Sequence, residues 1–223
     1  GWGEVNTMRI TLTITGFSGS GTSGAPFIIN NLSSLQNLQK IVNNCGWTMN
    51  NRYLRQDANI SSAGAMVIGT SSTYFQGKYN GNNFSITGIS INNSTGNQAL
   101  FAYTGAGATI SNLTVGGTIA GSGSTRAGFV GAAKGNLTIS GCTNNVNVTG
   151  AYYVGGFIGD VYGSGITVNL TNCTNNGTIT GSANGTGGLV GYVSSGDTLN
   201  ISGGVNAAAV TTSGTLNGTG GLV

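Results

Sequence analysis

Three phrases decide how this sequence folds: Gly128-Phe129-Val130-Gly131, Gly156-Phe157-Ile158-Gly159 and Gly188-Leu189-Val190-Gly191. Gly221-Leu222-Val223 begins a fourth copy, and Ala99-Leu100-Phe101-Ala102 is a degenerate earlier one. The anchors Leu100, Phe129, Phe157, Leu189 and Leu222 recur at a near-regular interval. Self-similarity at a period of roughly 30 residues marks a stacked-repeat architecture.

A second ladder runs in step with the first. Ile110, Ile139, Leu170 and Ile201 recur at almost the same interval, and three positions after each come Leu113, Cys142, Cys173 and Gly204. Nine positions after each come Ile119, Val148, Ile179 and Val210, a distance that never varies. The next step does vary: it is shortest from Val148 to Phe157, longer by one position from Ile119 to Phe129, and longest from Val210 to Leu222. Segments of constant length read as stacked strands, because one inserted residue would turn every side chain to the other face. Segments of variable length read as turns, which absorb insertions at little cost. A repeat of this kind suits one coil of a parallel β-helix, each coil burying its apolar face on the next. No helical period interrupts this half.

The first hundred residues read differently. Asn31-Leu32-Ser33-Ser34-Leu35-Gln36-Asn37-Leu38-Gln39-Lys40-Ile41-Val42 sets Leu35, Leu38, Ile41 and Val42 at helical spacing behind an Asn/Ser start. It predicts one short amphipathic helix covering the first coil, since an open solenoid end exposes unpaired strand edges. The strict alternation of Arg9-Ile10-Thr11-Leu12-Thr13-Ile14-Thr15 predicts a strand, with further short strands near 53–54, 65–68, 75–79 and 84–91. The expected organisation is an N-terminal strand segment over 1–30, a cap helix and first coils over 31–98, and repeats over 99–223. These form one continuous solenoid, truncated at its C-terminal end inside a Gly-Leu-Val phrase.

The Gly-Leu-Val-Gly signature, preceded by Asn172-Cys173-Thr174-Asn175-Asn176-Gly177-Thr178-Ile179-Thr180-Gly181, resembles the GLUG repeat of bacterial surface proteins. The region upstream resembles what commonly precedes such repeats. It has a short helix, then Tyr53-Leu54-Arg55-Gln56-Asp57-Ala58-Asn59-Ile60, then Ile68-Gly69, then Phe75-Gln76-Gly77-Lys78-Tyr79-Asn80-Gly81-Asn82-Asn83. The likeness covers roughly residues 27–223, and departs from the family where Asn59 and Asn80 replace its usual Asp. It implies an all-β, right-handed parallel β-helix with one N-terminal capping helix and a cell-surface or extracellular location. Family members include adhesins and non-catalytic regions of secreted peptidases, so the resemblance implies no activity.

Composition bears on chemistry. Only 5% of residues are charged, against about 25% in an average soluble protein, while 38% are hydrophobic, enough for a packed core. Asn, Ser, Thr and Gly must therefore coat the surface. The seven basic residues are scattered, so the electrostatic footprint of a nucleic-acid binder is missing. No apolar run approaches the roughly 18 residues of a membrane-spanning helix, and the chain opens at Gly1 without Met or signal peptide, as a mature or excised product would.

Parallel β-helices also host pectin-degrading enzymes, so catalysis needs a test. Glycoside hydrolysis wants paired carboxylates, and the chain has only Glu4, Asp57, Asp160 and Asp197, with the last two at non-equivalent positions of different coils. The absence of His removes Ser-His-Asp and Cys-His mechanisms and most zinc sites. Cys45, Cys142 and Cys173 have no metal-ligand spacing, and Gly155-Gly156 and Gly187-Gly188 lack the Lys-Ser/Thr of a phosphate loop. Cys142 and Cys173 share the position of Leu113 and read as inward thiols; a disulfide is the alternative, disfavoured by parallel side-chain directions. No catalytic, cofactor or metal site is expected. The residues singled out are the core ladder above and the tyrosines Tyr152, Tyr153, Tyr162 and Tyr192, in or beside variable turns. These either shield the core or stack on sugar rings or a partner.

The expectation is a non-catalytic extracellular structural or adhesive solenoid. Its partners would be further repeats or copies of itself, glycans, or a host or neighbouring surface, with filament or sheath assembly as one form. The alternatives are a carbohydrate-binding module of a secreted protein and, behind it, a polysaccharide-cleaving β-helix.

Overall fold

The computed structural model describes residues 16–213 and 218–223; the strand expected over 9–15 lies outside them. The described residues form a parallel β-solenoid of about seven coils with a single short helix. Its strands collect into four parallel sheets, two of seven strands and two of four.

The first sheet carries the ladder. It stacks Phe27–Ile29, Tyr53–Gln56, Lys78–Asn80, Ala108–Ser111, Leu137–Ser140, Thr167–Thr171 and Thr198–Ser202. Ile110, Ile139, Leu170 and Ile201 pair in register. The same rung position continues backward through Tyr79, Leu54 and Phe27. The first hundred residues therefore belong to the same stack, although the unequal intervals between Phe27, Leu54, Tyr79 and Ile110 hide it. Ile110, Ile139 and Leu170 are fully buried, Ile201 partly. Each fully buried member removes enough apolar area from water to contribute about 2 kcal/mol.

The constant nine-position segment is not strand throughout, as its fixed length suggested: a sharp corner divides it between the first sheet and one or two strands of the second. Asn112, Gly141, Asn172 and Gly203 hold equivalent places there with φ between 52° and 63°. Only Asn and Gly enter this left-handed region at low cost. The corner turns Leu113, Cys142 and Cys173 inward at the start of the second sheet, where Ile119, Val148, Ile179 and Val210 pair in register.

The second sheet also holds a buried polar spine. Asn144 pairs with Asn175, and Asn175 with Asn206. Asn144 Nδ2 donates to Asn175 Oδ1 (2.7 Å) and Asn175 Nδ2 to Asn206 Oδ1 (2.8 Å). Each amide also bonds the backbone two residues on, through Val146, Gly177 and Ala208. Buried amides of this kind persist because their donors and acceptors are matched.

The spine accounts for the glycine that opens each repeat phrase. A methyl on Gly156 would lie 2.7 Å from Asn175 Cγ, and Gly128 and Gly188 face Asn144 and Asn206 in the same way. The closing glycine has a different neighbour: a methyl on Gly191 would sit 2.6 Å from the Tyr153 carbonyl carbon. Between them, Phe129 and Phe157 stack at 4.8 Å, with Leu100 and Leu189 also fully buried; Leu222 is 41% exposed.

The helix runs from Leu32 to Asn43. Its start is fixed by a capping box, Ser34 N donating to Asn31 Oδ1 and Asn31 N to Ser34 Oγ. Leu35, Leu38 and Val42 are buried. Gln39 and Asn43 both donate to the Val67 carbonyl of the second coil, so the helix lies over that coil in place of first-coil strands. Near 65–68 the structure forms an isolated bridge at Ile68 rather than a strand. No helix among the described residues is long and apolar enough to cross a membrane.

Candidate functional site: an aromatic band along one sheet

The two four-stranded sheets meet at the Gly-X-X-Gly bend. One contains Phe101–Thr104, Val130–Ala133, Ile158–Val161 and Val190–Val193. On it Tyr103, Ala132, Asp160 and Tyr192 pair on four successive rungs, away from the core ladder. Tyr74 stacks on Tyr103 (6.0 Å), Tyr153 stacks on Tyr192 (4.6 Å), and Tyr152 meets Tyr153 edge-on at 6.3 Å. Tyr162 follows the Ile158–Val161 strand and lies under Lys134 Nζ at 4.0 Å. The four tyrosines singled out in the sequence thus share one side of the solenoid. Tyr192 stands in a strand rather than a turn.

Sequence reasoning missed Tyr74 and Tyr103. Tyr74 falls in the irregular early coils, but Tyr103 stands three positions after the Leu100 anchor, as Asp160 and Tyr192 do after Phe157 and Leu189, so the repeat spacing was the signal that could have found it. A cavity of about 310 Å³ opens between Tyr74, Lys134 and Tyr162, and one of about 480 Å³ beside Tyr192, Gly185 and Val223.

Asp160 sits in the middle of the band. Burial pushes its carboxyl up to about 6, with Lys134 pulling it down and Asp197 pushing it up. Its Oδ1 is buried and has no hydrogen-bond partner. Asp197 has an opposite environment. Burial acts to raise it, but three backbone N–H groups outweigh that and hold its carboxyl below the usual range. Gly163 N donates to Oδ2 (2.9 Å), and Gly165 N (2.7 Å) and Ile166 N (3.0 Å) donate to Oδ1.

Two carboxylates with diverging proton affinities can mark an acid/base pair. Here Asp197 is spent on closing the 163–166 turn. Asp57 is held in a bidentate pair by Arg55 (Nε–Oδ1 2.7 Å, Nη2–Oδ2 2.9 Å) and is lowered by it. No group of three His, Cys, Asp or Glu converges among the described residues.

Other polar features lie elsewhere. A groove of about 350 Å³ on the outside of the first sheet is lined by Tyr53, Arg55, Lys78 and Thr109. Its cations are engaged, Arg55 by Asp57 and Lys78 by the Gly107 carbonyl. Arg126 is fully buried, donates through Nη2 to the Asn93 and Thr95 carbonyls, and faces no carboxylate. Asn59 and Asn80 accept from Ser85 N and Asn82 N, so amide oxygens make these turn contacts without charge. Cys142 and Cys173 are buried free thiols, donating to the Ser140 and Thr171 carbonyls; Cys45 is free and exposed.

Neither a protein-family model nor a curated protein matches the sequence. In structure, the chain is similar to a protein described as a putative immunoglobulin A1 protease from Bacteroides ovatus. The TM-score is 0.62 at 17% identity, over 87% of this chain and 69% of that one. At that identity the likeness is one of fold.

Proposed function

We propose that this chain is a non-catalytic module of an exported protein, a GLUG-type solenoid that projects from a surface and adheres to a neighbouring one. One observation carries the reading: of the three described acids, Asp57 and Asp197 are consumed in structural contacts, which leaves Asp160 without a partner for two-carboxylate chemistry. The absence of His argues in the same direction against Ser-His, Cys-His and His-ligated zinc peptidase centres within this chain. The neighbour's protease description therefore suggests a place in a similar architecture rather than a cleaving activity here.

Adhesion is favoured over filament growth. Among the described residues the helix lies over the second coil on the N-terminal side, where it obstructs the stacking of another copy. Beads coated with the protein should be retained on a cell or matrix layer above beads coated with an unrelated solenoid. The protein should release no reducing ends from pectin and no fragments from immunoglobulin A1. Turnover of either substrate, abolished by Asp160→Asn, would overturn the reading.

A further inference from the structure

Outward rungs of the first sheet from Ala108 onward carry short polar side chains, whereas earlier rungs hold Tyr53 and Lys78. On the first sheet one such row reads Thr109, Thr138, Asn169 and Asn200, with Asn200 donating to Asn169 at 2.9 Å. The aromatic band breaks this rule. Tyr152, Tyr162 and Tyr192 are 47%, 58% and 40% exposed, so their rings are not needed to close the core. Tyr153 adopts φ 49° at the position where the next coil has Gly185 with φ 75°. A non-glycine residue there costs about 1 kcal/mol or more, and the result is a ring stacked on Tyr192.

We infer that this band binds an extended, neutral, β-linked polysaccharide, running along the solenoid axis from the Tyr74–Tyr103 pair to the Tyr153–Tyr192 pair. The pairs are three rungs apart, roughly 14 Å at the usual strand spacing, with the small Ala132 and Asp160 between them. Aromatic faces take the apolar C–H face of a pyranose ring while leaving its hydroxyls free. Asp160 Oδ1 lies beneath this surface, buried and unpartnered, so the tyrosine faces carry the contact. A polyanion is disfavoured, because Lys134 is the one cation on the band and its ammonium already rests on Tyr162. A coiled α-glucan does not follow a straight row of rungs. The inference names the ligand of the adhesive surface proposed above, and so rests on that reading.

Affinity electrophoresis and calorimetry with soluble barley β-glucan, xyloglucan and galactomannan test it, with amylose and polygalacturonate as contrasts. Binding to at least one of the first three is expected, and to neither contrast. Tyr103→Thr and Tyr192→Thr, which install the residue type found on other outward rungs, should each weaken binding about tenfold. Tyr53→Thr, on the opposite groove, should leave it unchanged. Unaltered melting temperatures establish that the variants fold. Binding to no neutral glycan, preference for a contrast, or full affinity in the Tyr103→Thr/Tyr192→Thr double variant overturns the inference. Retention of coated beads on cells without glycan binding removes the ligand assignment alone; loss of retention removes the adhesive reading as well.

Discussion

Asn144 and Asn175 occupy the same place on successive coils, and the Nδ2 of the first donates to the Oδ1 of the second at 2.7 Å inside the hydrophobic interior. Asn206 extends the relationship by one more coil. The spine ties the coils by directional bonds where neighbouring rungs use apolar contact, and so it specifies register as well as cohesion.

Replacing Asn175 by Leu removes the acceptor for Asn144 and the donor for Asn206 while keeping the branched shape. A loss of about 3 kcal/mol is expected, since several buried polar groups lose partners together. Asn175→Asp should cost more at pH 7 than at pH 4, because a carboxylate would face the Asn206 oxygen. Denaturant midpoints at the two pH values measure both.

The opening glycine of the repeat tests the same contact from the other side. Gly156→Ala places a methyl between the Asn175 side chain and the Gly188 carbonyl, and the backbone cannot withdraw. About 2 kcal/mol of destabilisation is expected, at the overpacking scale. Gly24→Ala, where a methyl meets open space, is the control.

At the corner between the two large sheets, Asn172 has φ 52°. Asn172→Gly should be nearly neutral, because Gly141 and Gly203 already serve there. Asn172→Ala should cost about 1 kcal/mol and Asn172→Val more, as a β-carbon branch resists the left-handed region. Thermal melts of the three variants rank them.

Thiol labelling separates the cysteines. Burial pushes the Cys142 thiol up to about 12 and raises Cys173 as well, and the reactive species is the thiolate. One thiol per chain, Cys45, should react with an aromatic disulfide reagent at pH 8 in the folded protein, and all three after denaturation. Mass spectrometry of the unreduced protein checks the count. Fewer than three labelled thiols after denaturation would instead indicate a disulfide.

Asp160 sets a pH dependence with a defined sign. Its proton affinity is higher in the folded chain than in the unfolded one, so between the ordinary carboxylate value and about 6 the native state binds more protons. Its effect is then to reduce stability as pH rises through that window, with no further change above it. Asp197 and Asp57, held low, act in the opposite direction at more acid pH. Asp160→Asn should flatten the fall in melting temperature between pH 4 and pH 6.5 and raise it at pH 7.

What the sequence determined was the stacking. Parallel coils in register repeat their inward residues at a near-constant interval, so Ile110, Ile139, Leu170 and Ile201 could be aligned from spacing alone, as could the inward Cys142 and Cys173; the corner between the two sets could not, because its fixed length reads as strand. The capped helix was equally legible, because its signals are local. The early coils were not: turns of unequal length separate Phe27, Leu54 and Tyr79, and only backbone pairing shows that they share one rung position. Tertiary structure decided which tyrosines meet ring to ring: the Tyr74–Tyr103 and Tyr153–Tyr192 stacks. Tyr74, Tyr103, Tyr153 and Tyr192 come from different coils, and an insertion-tolerant turn sets which residues of each coil become lateral neighbours. Period along the axis is written in one dimension; proximity around the coil is not.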